Sequence, residues 1–134
     1  MVESKKLSKV SSQTRLRYLF VIRHGERKDH EPELYPEYES HPDAPLTPKG
    51  HDQAQKTGLF LKNFVKTLQK ENVKTAVSVT VESSPFARCL QTAAEICKLI
   101  GVPKCVLNYK CAELLTSYMF STDPLPTLLC HTLS

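Results

Sequence analysis

No apolar run in the sequence is long enough to cross a membrane, and the polar, basic residues 1–17 contain no apolar core of the kind that a secretory signal needs. Charge of one sign is not in large excess either. The 18 Lys and Arg stand against 14 Asp and Glu, and a basic tail explains the net charge of +4 better than a nucleic-acid-binding face does. These absences predict a cytoplasmic protein with no membrane span and no nucleic-acid partner.

The sequence also lacks a C-x-x-C pair, and its five cysteines are odd in number. Both facts disfavour a disulfide framework or a zinc site and favour a reducing compartment. Cys89 and Cys97 lie on a helical pattern and Cys105 lies in a strand-like run, so we expect them to be small apolar side chains in the interior. We predict no metal and no cofactor.

The most informative feature present is Phe20–Arg27, an apolar run that ends directly in Arg-His-Gly-Glu-Arg. The run Tyr18–Ile22 is typical of a buried parallel strand, because a strand covered on both faces needs no polar alternation. Open α/β sheets bind ligands just beyond the carboxyl ends of such strands. Arg23 offers donors to phosphate oxygens, His24 is a potential nucleophile or proton carrier, and Gly25 permits close approach of a ligand. The octet therefore predicts a phosphate site.

The rest of the chain alternates helical and strand patterns, which predicts an α/β fold: a three-layer αβα arrangement with a mostly parallel sheet. Residues 28–45, rich in proline and charge, predict a long surface loop. The predicted elements are a helix at Pro48–Glu71, a strand at Ala76–Val81, a helix that opens at Ser83-Ser84-Pro85 and ends at Gly101, and a short strand at Lys104–Leu107.

The character of the sequence changes at both ends, and no internal repeat is present. We expect a basic flexible tail at 1–17, an α/β domain at 18–113, and an atypical tail at 114–134, which has no Lys or Arg and no periodic pattern.

Arg88 follows a predicted strand end, as Arg23 and His24 do, so two arginines and a histidine are expected to converge on one anion. The chain from about Tyr18 to Glu113 resembles the histidine phosphatase superfamily, also called the phosphoglycerate mutase-like family. The resemblance rests on three segments in the right order and spacing: RHGER at 23–27, PLTPKG at 45–50 with Gln53-Ala54, and SSPFARCLQTA at 83–93.

The resemblance implies that His24 attacks phosphorus to form a phosphohistidine, that Arg23 and Arg88 bind the transferred phosphate, and that no metal takes part. Fixed cations would neutralise charge on the phosphoryl oxygens, and the covalent intermediate would divide one hard step into two. Arg27 would extend the cationic pocket. The RHGERxD pattern is similar to the branch that contains ecdysteroid phosphatases and T-cell-signalling tyrosine phosphatases.

A proton donor is also implied, and its position after the third strand matches Glu113. Glu26 and Asp29 are rivals for that role. The family's second catalytic histidine has no counterpart here: His131 comes too early and lacks the following glycine. We therefore expect a domain that is incomplete at its carboxyl end.

The sequence thus predicts a phosphomonoester hydrolase of unknown substrate, either a phosphorylated small molecule or a phosphoprotein. The alternatives are a non-catalytic phosphate-binding or interaction module and a truncated, inactive family member. A phosphoglycerate mutase is disfavoured, because Arg27 and the acidic loop replace the residues expected after the mutase form of the motif.

Nothing indicates the oligomeric state. His30, His41 and His51 have no evident partners, and the last two are expected to be solvated.

Overall fold

The computed structural model describes residues 18–112 of the chain. In that range the two helices are α1, Pro48–Glu71, and α2, Ala87–Ile100. Two short strands, β1 at Glu82–Ser83 and β2 at Val106–Leu107, pair in parallel on either side of α2 in the sequence. These elements form a small α/β fold, as predicted. The three-layer arrangement of a larger sheet stays a prediction, and the two predicted tails, 1–17 and 114–134, lie outside the described range.

Helix α1 has the predicted bounds because its start is specified locally. Thr47 is extended and its hydroxyl accepts a hydrogen bond from the Gly50 N–H at 3.0 Å, while Pro48 occupies the first helical turn. The helix buries Ala54 and Leu61 on one side. Together with Ala93 and Ile96 of α2 they belong to the apolar interior.

Helix α2 starts later than its cap signal predicted. Ser83 lies in β1 and its hydroxyl donates to the Ser84 carbonyl, so it caps nothing. The first N–H of α2, that of Ala87, instead donates to the Asp43 carboxylate at 2.7 Å, from the loop before α1. At the other end Gly101 has φ 77°, the left-handed conformation that glycine adopts at little cost, and it ends the helix as predicted.

The parallel pairing of β1 and β2 confirms the strand–helix–strand pattern, but the strands are shorter and placed differently from the prediction. Glu82 pairs with Val106 and Ser83 with Leu107, so β1 begins after the predicted 76–81 segment, while β2 lies within the predicted 104–107 strand. The first backbone bond, from the Val106 N–H to the Val81 carbonyl, measures 2.9 Å. Strand limits depend on the partner segment, and the apolar pattern of one segment does not contain that information.

The predicted buried strand at Tyr18–Ile22 is wrong for this structure. The segment belongs to neither strand of the sheet, and Leu19 and Val21 are 88% and 90% exposed. The segment contacts the rest of the protein with one face. The rings of Tyr18 and Phe20 pack edge-on against Phe64 of α1, with ring centroids 5.2 and 5.1 Å apart respectively. Alternate side chains of an extended chain point in opposite directions, so contact on one face leaves Leu19 and Val21 outside.

Residues 28–45 form a long loop, as predicted, interrupted only by short 3-10 turns at Lys28–His30 and Pro36–Tyr38. The loop is not on the surface throughout, because Asp43 and Ala44 near its end are buried. The Lys28 ammonium lies 5.0 Å from the ring centroids of Tyr35 and Tyr38, and this contact folds the loop onto its own first turn. Neither helix of the described part of the chain is long and apolar enough to cross a membrane.

Candidate active site

The His24 imidazole is half-buried and held in one orientation by its own neighbour. Its Nδ1 lies 2.7 Å from the Gly25 carbonyl oxygen, which can only accept, so Nδ1 carries the proton of the neutral ring. Nε2 then keeps a lone pair and is free to attack an electrophile. Burial lowers the pKa of His24 from its ordinary 6.5, and the charges of Arg88, Arg27 and Arg23 lower it further, against the opposing effect of the Gly25 bond. The nucleophilic, neutral form is therefore the dominant one near pH 7.

The structure brings the three predicted arginines into the electrostatic environment of His24, since each of them lowers the pKa of its ring. They differ in setting. Arg88 is 4% exposed, and its guanidinium carbon lies 4.0 Å from the Phe86 ring centroid. Arg23 is exposed. Arg27 is engaged with Asp29, to which it donates from Nε at 2.8 Å and from Nη2. Arg27 thus offers an anion less uncompensated charge than Arg23 does.

The Arg-His-Gly loop packs directly on the first turn of α1 through two glycines. A Cβ atom on Gly25 would lie 2.3 Å from the Gly50 carbonyl oxygen, a separation that real Cβ atoms do not reach. The contact joins backbone to backbone, so neither side can yield by rotating a side chain. Gly50 belongs to the second resemblance segment, and its role is to let the histidine loop approach the helix.

Glu26 joins the histidine loop to the start of α1 by polar contacts. Its carboxylate accepts from the Thr47 hydroxyl at 3.1 Å and from the Lys49 ammonium at 2.8 Å, and its N–H donates to the Gln53 side chain at 2.9 Å. The bond from Lys49 lowers the pKa of Glu26. This carboxylate is ionised near pH 7 and serves as a clasp, which argues against Glu26 as the proton donor. The other rival, Asp29, is held in the ion pair with Arg27.

Three side chains that the sequence reasoning gave no role connect the loops to α2. Asp43, 3% exposed, accepts from Ala87 N–H, and Gln91 accepts from the Leu46 N–H at 2.7 Å. Thr92 accepts from the Gly25 N–H at 3.1 Å. Gln91 and Thr92 lie within the segment that carried the resemblance, which was a usable signal. Asp43 had none, because nothing local distinguishes it from the other acids of its loop.

Two histidines that were expected to be solvated have partners. His51 on α1 lies 2.9 Å from a carboxylate oxygen of Glu95 on α2, and this contact lowers the pKa of Glu95. His41 accepts from the Asp43 N–H at 3.1 Å. Both contacts join residues brought together by the fold or by a turn, so residue type and spacing alone did not reveal them. Both support the helices and loop around the site.

A cavity of about 170 Å³ opens beside His24. It is smaller than the 300–1,000 Å³ usual for whole small-molecule ligands, which suits a phosphoryl group or a fragment of similar size. Its lining consists of Arg23, His24, Gly25, Gln53, Ala54, Thr57 and Thr92. Between residues 18 and 112, no three His, Cys, Asp or Glu side chains are grouped so as to hold a metal ion. Glu113 and His131 lie outside the described residues.

The candidate site therefore consists of a half-buried imidazole whose pKa is lowered by burial and by three arginines, in a loop that packs on α1 through Gly25. The family model of the histidine phosphatase superfamily (branch 1) matches residues 19–109, and the chain belongs to this superfamily. The match spans all three resemblance segments. Neither the curated proteins nor the solved structures include a match to this chain.

Proposed function

We propose that this protein is a phosphomonoester hydrolase that works through a phosphohistidine on His24. The observation that carries the proposal is the orientation of the ring: Nδ1 is anchored on the Gly25 carbonyl, which leaves the lone pair on Nε2, and Arg23 lines the same cavity. Membership of the superfamily supports phosphatase or mutase chemistry on phosphorylated substrates. The substrate is a phosphorylated small molecule or a phosphoprotein, and the reaction needs no metal or cofactor.

The reaction has two steps. The Nε2 lone pair attacks phosphorus, the ester P–O bond breaks, and the leaving oxygen takes a proton from a general acid, for which we propose Glu113. Water then gives a proton to the Glu113 carboxylate and attacks the phosphohistidine, the P–N bond breaks, and inorganic phosphate leaves while Nε2 recovers its lone pair and Glu113 is again protonated. Arg23 and Arg88 bind the phosphoryl oxygens and offset their charge throughout. Arg27 is paired with Asp29 and does not line the cavity, so it contributes only the effect of its charge on His24.

Hydrolysis is favoured over a mutase reaction because of the segment that follows His24. Arg27 and Asp29 form an ion pair there, and the acidic loop 28–45 begins directly after it. A mutase must hold a second anionic group of its substrate near the same histidine, and acidic side chains at that place disfavour it.

The purified chain is expected to hydrolyse para-nitrophenyl phosphate in the presence of EDTA, with competitive inhibition by vanadate, because nucleophile and cations all come from the protein. Phosphatase assays with and without added divalent metal measure this. Activity that disappears with EDTA would contradict the metal-free mechanism. A chain without turnover whose melting temperature still rises with vanadate would instead be a phosphate-binding module.

A further inference from the structure

Thr92 is the side chain whose hydroxyl contacts both the histidine loop and the turn of α2 that carries Arg88. It is 6% exposed. Its Oγ1 donates to the Arg88 carbonyl oxygen at 2.8 Å and accepts from the Gly25 N–H at 3.1 Å. The first bond uses the only hydroxyl proton, so the second must be accepted on a lone pair. One oxygen atom is thereby fixed between the two segments.

The contact continues through Gly25 to the imidazole. Gly25 gives its N–H to Thr92 and its carbonyl to His24 Nδ1 at 2.7 Å. The same peptide segment therefore carries the bond from α2 at one end and the bond that orients the ring at the other. Its tight contact with Gly50 prevents it from adopting another position on the α1 side.

We propose that Thr92 is a positioning residue that sets the His24 imidazole relative to the Arg88 guanidinium; the inference rests on the proposed function of His24. Thr92 lines the cavity beside His24, but both hydrogen bonds of its hydroxyl are to backbone, so we assign it a role in positioning and not in the reaction itself. Its effect is on geometry, and displacement of a reacting group by about 1 Å can reduce a rate by about 10²-fold.

The test compares Thr92→Val, which keeps the shape and removes the hydroxyl, with Thr92→Ser, which keeps the hydroxyl. We expect kcat/KM for para-nitrophenyl phosphate to fall by about 10- to 100-fold in Thr92→Val and to change little in Thr92→Ser. Ile96→Val, a core change on the same helix, controls for loss of stability and should lower the melting temperature without lowering kcat/KM. Thr92→Ala replaces Thr92→Val if that variant does not fold.

A titration of the His24 ring by NMR gives a second readout that does not need turnover. In the wild-type protein we expect the midpoint to lie below 6.5, because burial and the charges of the arginines disfavour the charged ring. In Thr92→Val the loop is released from α2, burial decreases, and the midpoint rises toward 6.5; Thr92→Ser restores the wild-type value.

Unchanged kcat/KM and an unchanged His24 midpoint in Thr92→Val would overturn the inference. So would a loss of kcat/KM in Ile96→Val as large as that in Thr92→Val, or a Thr92→Ser variant as impaired as Thr92→Val. If the wild-type chain itself does not turn over, the proposed function fails, and the NMR titration alone decides the role of Thr92.

Discussion

His24→Ala is expected to reduce hydrolysis of para-nitrophenyl phosphate by at least about 10³-fold, because removal of the nucleophile removes the covalent route altogether. The remaining arginines can still bind an anion, so vanadate should continue to raise the melting temperature. A continuous phosphatase assay against wild type measures the loss. His30→Ala is the matched control: His30 is exposed in the neighbouring 3-10 turn, and its removal should leave turnover near the wild-type value.

The same variant should change how stability depends on pH. The pKa of His24 lies below 6.5 in the folded protein, so the unfolded chain binds more protons in the window between the folded pKa and 6.5. The neutral His24 ring of the folded protein therefore makes its full contribution to the free energy of unfolding above pH 6.5. That contribution is lost as the pH falls through the pKa of His24 in the folded protein. His24→Ala should lose less stability on acidification. Full turnover by His24→Ala would show that another residue is the nucleophile.

Gly25→Ala is expected to destabilise the protein by about 4 kcal/mol or more, or to prevent folding, because its Cβ would collide with backbone. The carbonyl oxygen, carbonyl carbon and Cα of Gly50 all lie within 2.9 Å of that Cβ. The collision can be avoided only if the histidine loop moves away from α1. That movement breaks the contacts of Glu26 with Thr47 and Lys49 and the hydrogen bond from Gly25 to Thr92. Loss of vanadate binding should therefore accompany the loss of stability. Urea denaturation with and without vanadate measures both.

Gly101→Ala is the matched control for that substitution. A Cβ at Gly101 would meet nothing within 4 Å, but the residue has φ 77°. The cost is the left-handed conformation alone, about 1–2 kcal/mol, and the site is untouched. Equal stability of Gly25→Ala and Gly101→Ala would mean that the histidine loop does not pack on α1 as described.

Helix α1 could be predicted from the sequence because its signals are local. Thr47, Pro48 and the apolar spacing lie within the segment that they organise. The start of α2 could not, since its cap is the Asp43 carboxylate from a loop more than 40 residues earlier. The limits of the strands were predicted wrongly for a similar reason. Apolar residues at 18–22 and 76–81 indicate where a strand can form, but only the partner segment determines which residues pair.

The sequence motifs were enough to propose His24, Arg23, Arg27 and Arg88 as site residues, and their roles as nucleophile and cations stay predictions. The contacts that support this candidate site could not be predicted from the sequence. Three contacts each join distant segments: those of the Glu26 carboxylate, the bridging hydroxyl of Thr92, and the hydrogen bond between His51 and Glu95. The residue types involved are ordinary for exposed or helical positions, so the sequence alone gave no reason to prefer a contact with Thr47 and Lys49 for Glu26 over the role of proton donor.

The most direct test is to quench the wild-type protein during turnover of a phosphomonoester and to identify the phosphorylated residue by mass spectrometry under neutral or alkaline conditions, where a P–N bond survives. The account predicts one added phosphoryl group on the peptide that contains His24, lost on mild acid treatment and absent from His24→Ala. An acid-stable phosphoryl group on another residue, or turnover with no phosphoenzyme at any quench time, would contradict it.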